Sequence, residues 1–189
     1  MADRPSTPRI PPLDPADADP AQVELLAAAT VPGGGASNIF ATLVRAPGLF
    51  RKWLPFGGKL LNGKVPARER ELAILRVGWL CRSEYEWGQH VAIGRPVGVT
   101  DDDIERLKAG PDADGWTSIE AAILRAADEL HDDACITDAT WAELAGEFDQ
   151  AQLIELVMVI GHYHLVSFAL NSLGVQREAG VEGFEGVGR

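Results

Sequence analysis

Cysteine is nearly absent from this 189-residue chain, which holds only Cys81 and Cys135. The two stand far apart, in neither a Cys-x-x-Cys pair nor a zinc-type spacing, so no redox or metal motif is recognisable. A disulfide between them is not expected in a reducing compartment. The sequence therefore predicts two small, buried, apolar cysteine side chains and no metal site.

Positive charge is also scarce, because 17 Lys and Arg residues stand against 28 Asp and Glu residues, for a net charge of −11. Binding to nucleic acid or to anionic lipid needs a basic surface, so both classes of partner are excluded. The apolar runs are short or interrupted, which argues against a membrane span. The N-terminal stretch lacks the apolar segment of a signal peptide. We expect a cytoplasmic protein that binds a small-molecule substrate.

Strand signals are missing as well, since no segment alternates apolar and polar residues between turns. Apolar residues make up 46% of the chain, enough for one domain with its own core. We predict an all-α bundle over residues 19–176, with an extended or disordered arm at 1–18 and a flexible glycine-rich tail at 177–189. A weak internal similarity between the segments that start at residues 69 and 149 indicates a duplicated helical hairpin.

Turn and capping residues mark several helix boundaries. The glycine-rich segment 31–37 is interpreted as a loop, because it lacks the strand and the lysine of a phosphate-binding loop. Pro55 predicts a break that divides residues 47–61 into two short helices. Capping boxes that begin at Thr117 and Asp149 predict two later helix starts.

The most informative stretch runs from Pro66 to Val99. Pro66 suits the first position of a helix, and the apolar residues that follow occupy several faces, which is typical of a central helix. Ser83, with Glu86 three residues later, predicts a capping box at the start of a second helix. A short polar break joins the two helices, so we expect them to pack antiparallel.

Ser83, Glu86 and His90 fall on nearly one face of the second helix, because residues seven apart differ by only about 20°. A carboxylate beside an imidazole is typical of a general acid–base pair. Glu71, in an apolar run of the first helix, would face His90, since a buried carboxylate needs a partner. The alternative is structural: an ordinary cap, a capping-box acid and an i,i+4 pair.

Aromatic side chains surround this column of polar residues. Tyr85 and Trp87 flank it in sequence, and Trp53 and Phe56 are candidates for a pocket wall. Core packing is the simpler interpretation of all four.

His162 and His164 lie in the most apolar predicted helix. Two residues apart, they point in directions about 200° apart around the helix, so they cannot bind one metal ion. We expect one of them to face the His90 site, with His162 as the candidate, and the other a subunit boundary. The alternative for each is a core histidine.

Residues 66–99, PARERELAILRVGWLCRSEYEWGQHVAIGRPVGV, resemble the core motif of the carboxymuconolactone decarboxylase / alkylhydroperoxidase D superfamily. The resemblance extends more loosely through ILRAADEL, TDATWAEL and IELVMVIGHYHLVSFALNSLGV, over about residues 47–175. This range is similar to the longer single-domain branch. The resemblance implies an all-helical homo-oligomer, a trimer or hexamer, with its site near subunit contacts.

The peroxidase members of that family carry a Glu, a Cys twelve residues later, a second Cys three residues on and a His four further on. Glu71 and His90 match the first and last of these positions, but Ser83 and Glu86 replace the cysteines. Serine and glutamate cannot form a disulfide or a sulfenic acid, and Cys81 is displaced from the first position. The resemblance therefore implies no thiol peroxidase activity, although peroxiredoxin-type activity belongs to the family.

The decarboxylase members also lack the cysteine pair. The resemblance implies an acid–base enzyme without a cofactor, a decarboxylase or a related lyase or hydrolase, acting on a small lactone or cyclic acid. Glu86 and His90 would transfer protons, and Glu71 would orient His90. The alternative is an oligomer that binds a small ligand without turnover. Three arginines are candidates to hold a substrate carboxylate: Arg76, Arg82 and Arg95.

Overall fold

Helices form all the regular secondary structure in residues 3–29 and 36–184, which are the residues that the computed structural model describes. This confirms the predicted all-α class. Two short 3₁₀ turns, Pro15–Asp17 and Arg95–Val97, accompany the helices. The helices are α1 (Pro20–Ala29), α2 (Asn38–Leu43), α3 (Pro47–Leu61), α4 (Ala67–Leu80), α5 (Glu84–Gly94), α6 (Asp101–Ala109), α7 (Ser118–Asp132), α8 (Asp138–Glu147) and α9 (Gln150–Leu173).

Helix α4 lies at the centre of the bundle and packs against α5, α7 and α9. Every residue from Arg70 to Gly78 is buried. One side of α4 joins the core formed with α7, α8 and α9, and the other side joins a core formed with α5 and α6. A helix that is apolar on several faces has no side to offer to solvent, which places α4 inside. The polar residues of α4 are therefore buried with it.

The predicted capping boxes at Thr117 and Asp149 are present, with Glu120 and Gln152 as the reciprocal partners. Each pair satisfies two backbone N–H groups that the first helical turn leaves without a partner. Helix α9 ends at Gly174, whose φ of 70° is in the left-handed region that favours glycine.

Two sequence predictions are wrong: the helix break at Pro55 and the duplicated helical hairpin. Helix α3 continues through Pro55, four residues after the exposed Arg51. The carbonyl that the proline leaves unbonded then lies on the solvent side, where water can bond it. Helix α9 is continuous over 24 residues, so the second half of the proposed duplicated hairpin is a single helix.

Helix α9 is long and apolar enough to cross a membrane by length and composition, which the sequence reasoning did not recognise. Half of its most apolar window is buried within the structure. Its buried face packs against α4, as in the core helix of a globular domain.

Residues 3–14 lie extended along their own chain. Arg4 donates a hydrogen bond to the carbonyl oxygen of Cys81 at 2.8 Å, and the Arg9 backbone N–H donates to the Leu173 carbonyl at 2.9 Å. Leu13 is buried against α1, α2 and α3. Most of the predicted loop at 31–37, including its three glycines, lies outside the described residues. Only its last two residues, Ala36 and Ser37, are described.

The tail is in contact with the bundle as far as residue 184, whereas the sequence predicts a flexible segment there. Glu178 accepts hydrogen bonds from the Tyr85 hydroxyl at 2.8 Å and from the Gln89 side chain at 2.7 Å. Phe184 packs edge-on against Trp79 and Trp87. Glycine content predicts freedom of the unbound chain, but these contacts hold the segment.

Candidate active site

The α4–α5 hairpin brings the predicted site residues together. Its turn reverses the chain through Arg82, whose φ is 50°, and the Ser83 N–H donates to the Gly78 carbonyl at 2.8 Å. Gly78 also permits close helix packing, because a Cβ there would lie 3.4 Å from the backbone nitrogen of Trp87. The helices run antiparallel and face each other along the column that contains His90.

The predicted capping box at Ser83 is wrong. Ser83 precedes α5, but its side chain makes no capping hydrogen bond, and its ψ of 89° falls short of the 154–167° of the α-helix N-caps whose side chains do make one. Its hydroxyl is buried and lacks a hydrogen-bond partner among the described residues. Glu86 is thereby released from the cap and contacts His90.

His90 lies between two carboxylates. Its Nδ1 is 2.6 Å from Glu71 Oε2, and its Nε2 is 3.0 Å from Glu86 Oε1. Arg70 contacts the other oxygen of Glu71, with Nε and Nη2 both 3.0 Å from Oε1. The result is a row of alternating charges, Arg70–Glu71–His90–Glu86, which we call the charged array. Glu71 is fully buried, and His90 is 5% exposed.

Each member of the array controls the protonation of its neighbour. Burial opposes a charge on His90, but hydrogen bonds and charges from Glu71 and Glu86 outweigh it and raise the pKa of His90 to about 9. Burial likewise opposes a charge on Glu71, yet His90 and Arg70 outweigh it and lower the Glu71 pKa below its ordinary value of 4.5. His90 is therefore cationic at neutral pH, with Glu71 as its counterion.

A cavity of about 420 Å³ opens on the far side of the array from Arg70. Glu86 and His90 line it, and Tyr163 packs edge-on against the His90 ring with centroids 4.8 Å apart. Trp53 and His162 stack at 5.8 Å to form one wall. Most of the other lining side chains are apolar: Ala29, Ile39, Phe40, Leu54, Leu61, Ile93 and Val166.

The sequence-predicted residues divide into three groups in the structure. Glu86, His90, Tyr85, Trp53 and His162 line the cavity. Glu71 lies behind His90 and reaches the cavity only through it, and Ser83 is buried at the turn. The remaining two side chains, Trp87 and Phe56, do not line the cavity; Trp87 packs in the opposite core with Trp79 and Phe184, and Phe56 contacts the edge of His162.

Sequence reasoning missed Arg70, Tyr163 and Gln89. Arg70 is adjacent in sequence to Glu71, and an arginine beside a buried glutamate in a central helix is a usable signal of a buried pair. Tyr163 stands between His162 and His164, and only the three-dimensional packing of α9 shows that it faces His90. Gln89 lines the cavity and is tied to Glu178.

The three arginines proposed to hold a substrate carboxylate do not line the cavity. Arg76 contacts both oxygens of Asp128, and Arg95 is paired with Asp101 and Glu182. Arg82 lines other cavities at the turn end of the hairpin. Among the described residues, the cavity lining contains neither Arg nor Lys, so His90 supplies its positive charge.

The cysteines lie outside the cavity. Cys81 is buried, and burial raises the pKa of its thiol to about 11, which keeps it protonated at neutral pH. Cys135 is exposed in the loop between α7 and α8, contrary to the predicted burial. Neither residue is placed to act as a thiolate on a ligand beside His90.

Fold and site together define an all-helical protein with a buried carboxylate–histidine–carboxylate array beside a mainly apolar cavity. Residues 47–129, which include Glu71, Glu86 and His90, match the family described as the carboxymuconolactone decarboxylase family. This match supports a relationship of residues 47–129 to the carboxymuconolactone decarboxylase family. A comparison with curated proteins gave no significant match.

Solved structures share the fold at low sequence identity. An uncharacterised peroxidase-related protein from Ralstonia eutropha JMP134, with an alkylhydroperoxidase AhpD core, is 18% identical with a TM-score of 0.78 and covers 91% of this chain and 93% of its own. Another peroxidase-related protein, from Silicibacter sp. TM1040, is 16% identical with a TM-score of 0.76, over 96% and 97% of the two chains.

The same fold occurs in the debrominase Bmp8. A cysteine-to-alanine variant of that enzyme, in complex with 2,3,4-tribromopyrrole, is 18% identical with a TM-score of 0.76. The match covers 94% of this chain and 95% of the debrominase. Identities this low establish the common fold.

Proposed function

We propose that the protein is a proton-transfer enzyme without a cofactor, a lyase, hydrolase or isomerase, that acts on a small uncharged ring compound such as a lactone. One observation carries this proposal: Glu86 and His90 converge on a mainly apolar cavity. A carboxylate and an imidazolium at a cavity wall are the groups that general acid–base catalysis requires. The cavity has room for a small ring compound.

The charge of the lining favours a lactone over a free cyclic acid. An anionic substrate would need a cation besides His90, whose charge is already balanced between Glu71 and Glu86. A third buried carboxylate, beside those of Glu71 and Glu86, would leave the site with excess negative charge, at a cost of several kcal/mol. The decarboxylation that the family resemblance implies is thus less well supported than proton transfer on a neutral ring.

We assign a role to each member of the charged array from its position. Glu86, as carboxylate, accepts a proton from an acidic carbon of the ring, and the negative charge passes to the oxygen of the resulting enolate. His90, cationic beside it, stabilises that oxygen electrostatically. Protonated Glu86 then returns the proton to another atom, and no electron is gained or lost. Glu71 and Arg70 position His90 and do not touch the substrate.

The debrominase structure supports the class of ligand. Its bound 2,3,4-tribromopyrrole is a compact ring compound held by the same fold. In this protein, Trp53 and His162 offer flat surfaces to such a ring. Stacking on aromatic side chains holds planar or nearly planar rings without demanding a charge.

Hydrogen–deuterium exchange tests the proposal. Small neutral lactones are incubated with the protein in D₂O, each beside its ring-opened hydroxy acid, and loss of the carbon-bound proton is followed by NMR. We expect exchange of at least one lactone and weaker exchange of the acids. Glu86→Gln and His90→Asn are expected to slow exchange by about 10²-fold or more. Glu84→Gln, on the same helix but outside the cavity lining, is the matched control and should retain exchange.

The mainly apolar lining also suits a protein that binds a ring compound without turnover. Saturable chemical-shift changes at Trp53 and Tyr163, with no exchange of any lactone and no ring opening, would favour that second function. Exchange that survives Glu86→Gln unchanged would contradict the assignment of Glu86 as the base.

A further inference from the structure

Three metal-binding side chains meet at one end of the bundle, away from the cavity that contains His90. Cys81 follows the last residue of α4, His131 lies in the last turn of α7, and His164 lies in the second half of α9. The Sγ atom and one ring nitrogen of each histidine all lie within 4.8 Å of one another. The residues are distant in sequence, so no spacing motif announces them, and the sequence predicts no metal here.

The geometry is close to that of a bound transition metal. His131 Nδ1 and His164 Nε2 are 3.1 Å apart. Around a tetrahedral zinc ion, ligand atoms at about 2.0–2.3 Å from the metal stand roughly 3.3–3.6 Å from one another. The ligand atoms therefore need to move by about 1 Å at most, and His131 is the exposed member of the three.

A second contact prepares His164 as a ligand. Its Nδ1 lies 2.8 Å from the carbonyl oxygen of Ile160 and donates a hydrogen bond to it. The proton is thereby fixed on Nδ1, which leaves the lone pair of Nε2 directed at His131. Metal-binding histidines in proteins are held in the same way, by an acceptor on the ring nitrogen that does not bind the metal.

We propose that Cys81, His131 and His164 form a binding site for a zinc ion. One thiolate and two imidazoles are a borderline-soft set that suits Zn²⁺, whereas Mg²⁺ and Ca²⁺ prefer oxygen ligands. Three protein ligands leave a fourth position open, and a cavity of about 470 Å³ lined by Cys81 and His131 lies beside it. Water or a small ligand can occupy that position.

The zinc site is separate from the charged array. His162 and His164 point in directions about 200° apart around α9. His162 lines the cavity beside His90, and His164 contacts His131 on the other side of the helix. The two histidines of the sequence HYH therefore belong to two different sites, and zinc binding does not require any residue of the proton-transfer site.

Metal titration of the whole protein tests the proposal. After incubation with Zn²⁺ and removal of excess metal, we expect one zinc per chain by elemental analysis. With Co²⁺ as a spectroscopic substitute, a thiolate-to-cobalt charge-transfer band should appear in the near ultraviolet. Cys81→Ser should remove that band, and His131→Asn or His164→Asn should weaken binding by about tenfold or more.

Two variants serve as controls. Cys135→Ser removes the other thiol, and His162→Asn removes the neighbouring histidine of α9; both should bind zinc as the wild type does. Because His131 is exposed, its variant is expected to fold even if Cys81→Ser does not. Stoichiometry unchanged in His131→Asn, cobalt binding without a charge-transfer band, or no retained zinc in the wild type would overturn the proposal.

Discussion

Among single residues, His90 determines the electrostatics of the site. It is buried, yet two carboxylates keep it charged, and Arg70 prevents the array from carrying net negative charge. The approach of Glu71 to His90 could be predicted from helical spacing, because a carboxylate in an apolar helix needs a partner. Arg70 could have been included by the same reasoning. The contact of Glu86 with His90 in place of a capping box could not be predicted, since it depends on the backbone angle at Ser83.

The replacement Glu71→Gln removes the carboxylate that pairs with Arg70 and leaves Glu86 as the remaining carboxylate at His90. We expect a lower His90 pKa and a loss of about 3–5 kcal/mol in the free energy of unfolding, measured by urea denaturation at pH 7. Glu69→Gln, on the same helix, is the matched control and should change it by less than about 0.5 kcal/mol. An equal, small effect of both variants would refute a coupled array.

Stability should also depend on pH through His90. Its folded-state pKa is raised from 6.5 to about 9, so its stabilisation of about 3 kcal/mol is fully present below pH 6.5 and is lost as the pH rises through 9. Urea denaturation at pH 7 and pH 10 should show a larger loss in the wild type than in His90→Asn. Equal losses in the two proteins would mean that His90 is neutral in the folded state. Glu71 acts at the acid end, where its stabilisation is lost as the pH falls through its lowered pKa.

Because Ser83 and Glu86 occupy the positions of the two redox cysteines, we predict that the protein has no thiol peroxidase activity. With hydrogen peroxide or an alkyl hydroperoxide and a dithiol reductant, we expect no turnover above the uncatalysed rate, since Cys81 is buried and protonated. The assay follows peroxide consumption. Turnover that is abolished by Cys81→Ser would show that a thiol peroxidase site exists after all.

Among the helices, the α4–α5 contact sets the distance between Glu71 and His90. Gly94, the last residue of α5, lies close to both Val99 and α4. A Cβ on Gly94 would lie 3.1 Å from Val99 Cγ2 and 3.6 Å from Glu71 Cβ. Periodicity and capping residues were sufficient to predict most helices here, because those signals are local. The continuity of α3 through Pro55 depends on which side of the helix faces solvent. Local sequence signals do not show which side that is.

The replacement Gly94→Ala should push against Val99, because a Cβ at residue 94 would lie 3.1 Å from Val99 Cγ2. We expect it to lower the free energy of unfolding by about 1–3 kcal/mol, although alanine is the better helix former. Thermal and urea denaturation measure the change. Gly146→Ala is the control, since a Cβ there meets nothing within 4 Å, and it should be neutral or stabilising by up to about 1 kcal/mol. Stabilisation by both variants would show that the contact at Gly94 is not tight.

Across the whole molecule, helix α9 serves two purposes. One face enters the core, and the other exposes a row of apolar side chains at helical spacing: Ile154, Met158, Leu165 and Phe168. Exposed apolar rows of this kind mark protein–protein contacts. Sequence periodicity shows that α9 is apolar, but it cannot show which face the remaining helices leave uncovered, nor that Cys81, His131 and His164 meet.

The replacement Leu165→Glu tests self-association through this row. We predict that the wild type is a homo-oligomer, a trimer or hexamer, in sedimentation experiments, and that the variant shifts to smaller species because a carboxylate is costly to bury in an apolar contact. Val23→Glu, at an exposed apolar position of α1, should leave the assembly unchanged. A wild type that is monomeric at all concentrations would contradict the prediction.

The charged array is tested most directly by titration of the four histidines, followed by ¹⁵N NMR with assignments from single His→Asn variants. We predict that His90 titrates with a midpoint near pH 9, while burial keeps the pKa values of His162 and His164 below 6.5. In Glu71→Gln the His90 midpoint should fall. A His90 midpoint at or below 6.5 in the wild type would mean that the imidazole is neutral at physiological pH, and would contradict the cationic array on which the proposed proton transfer depends.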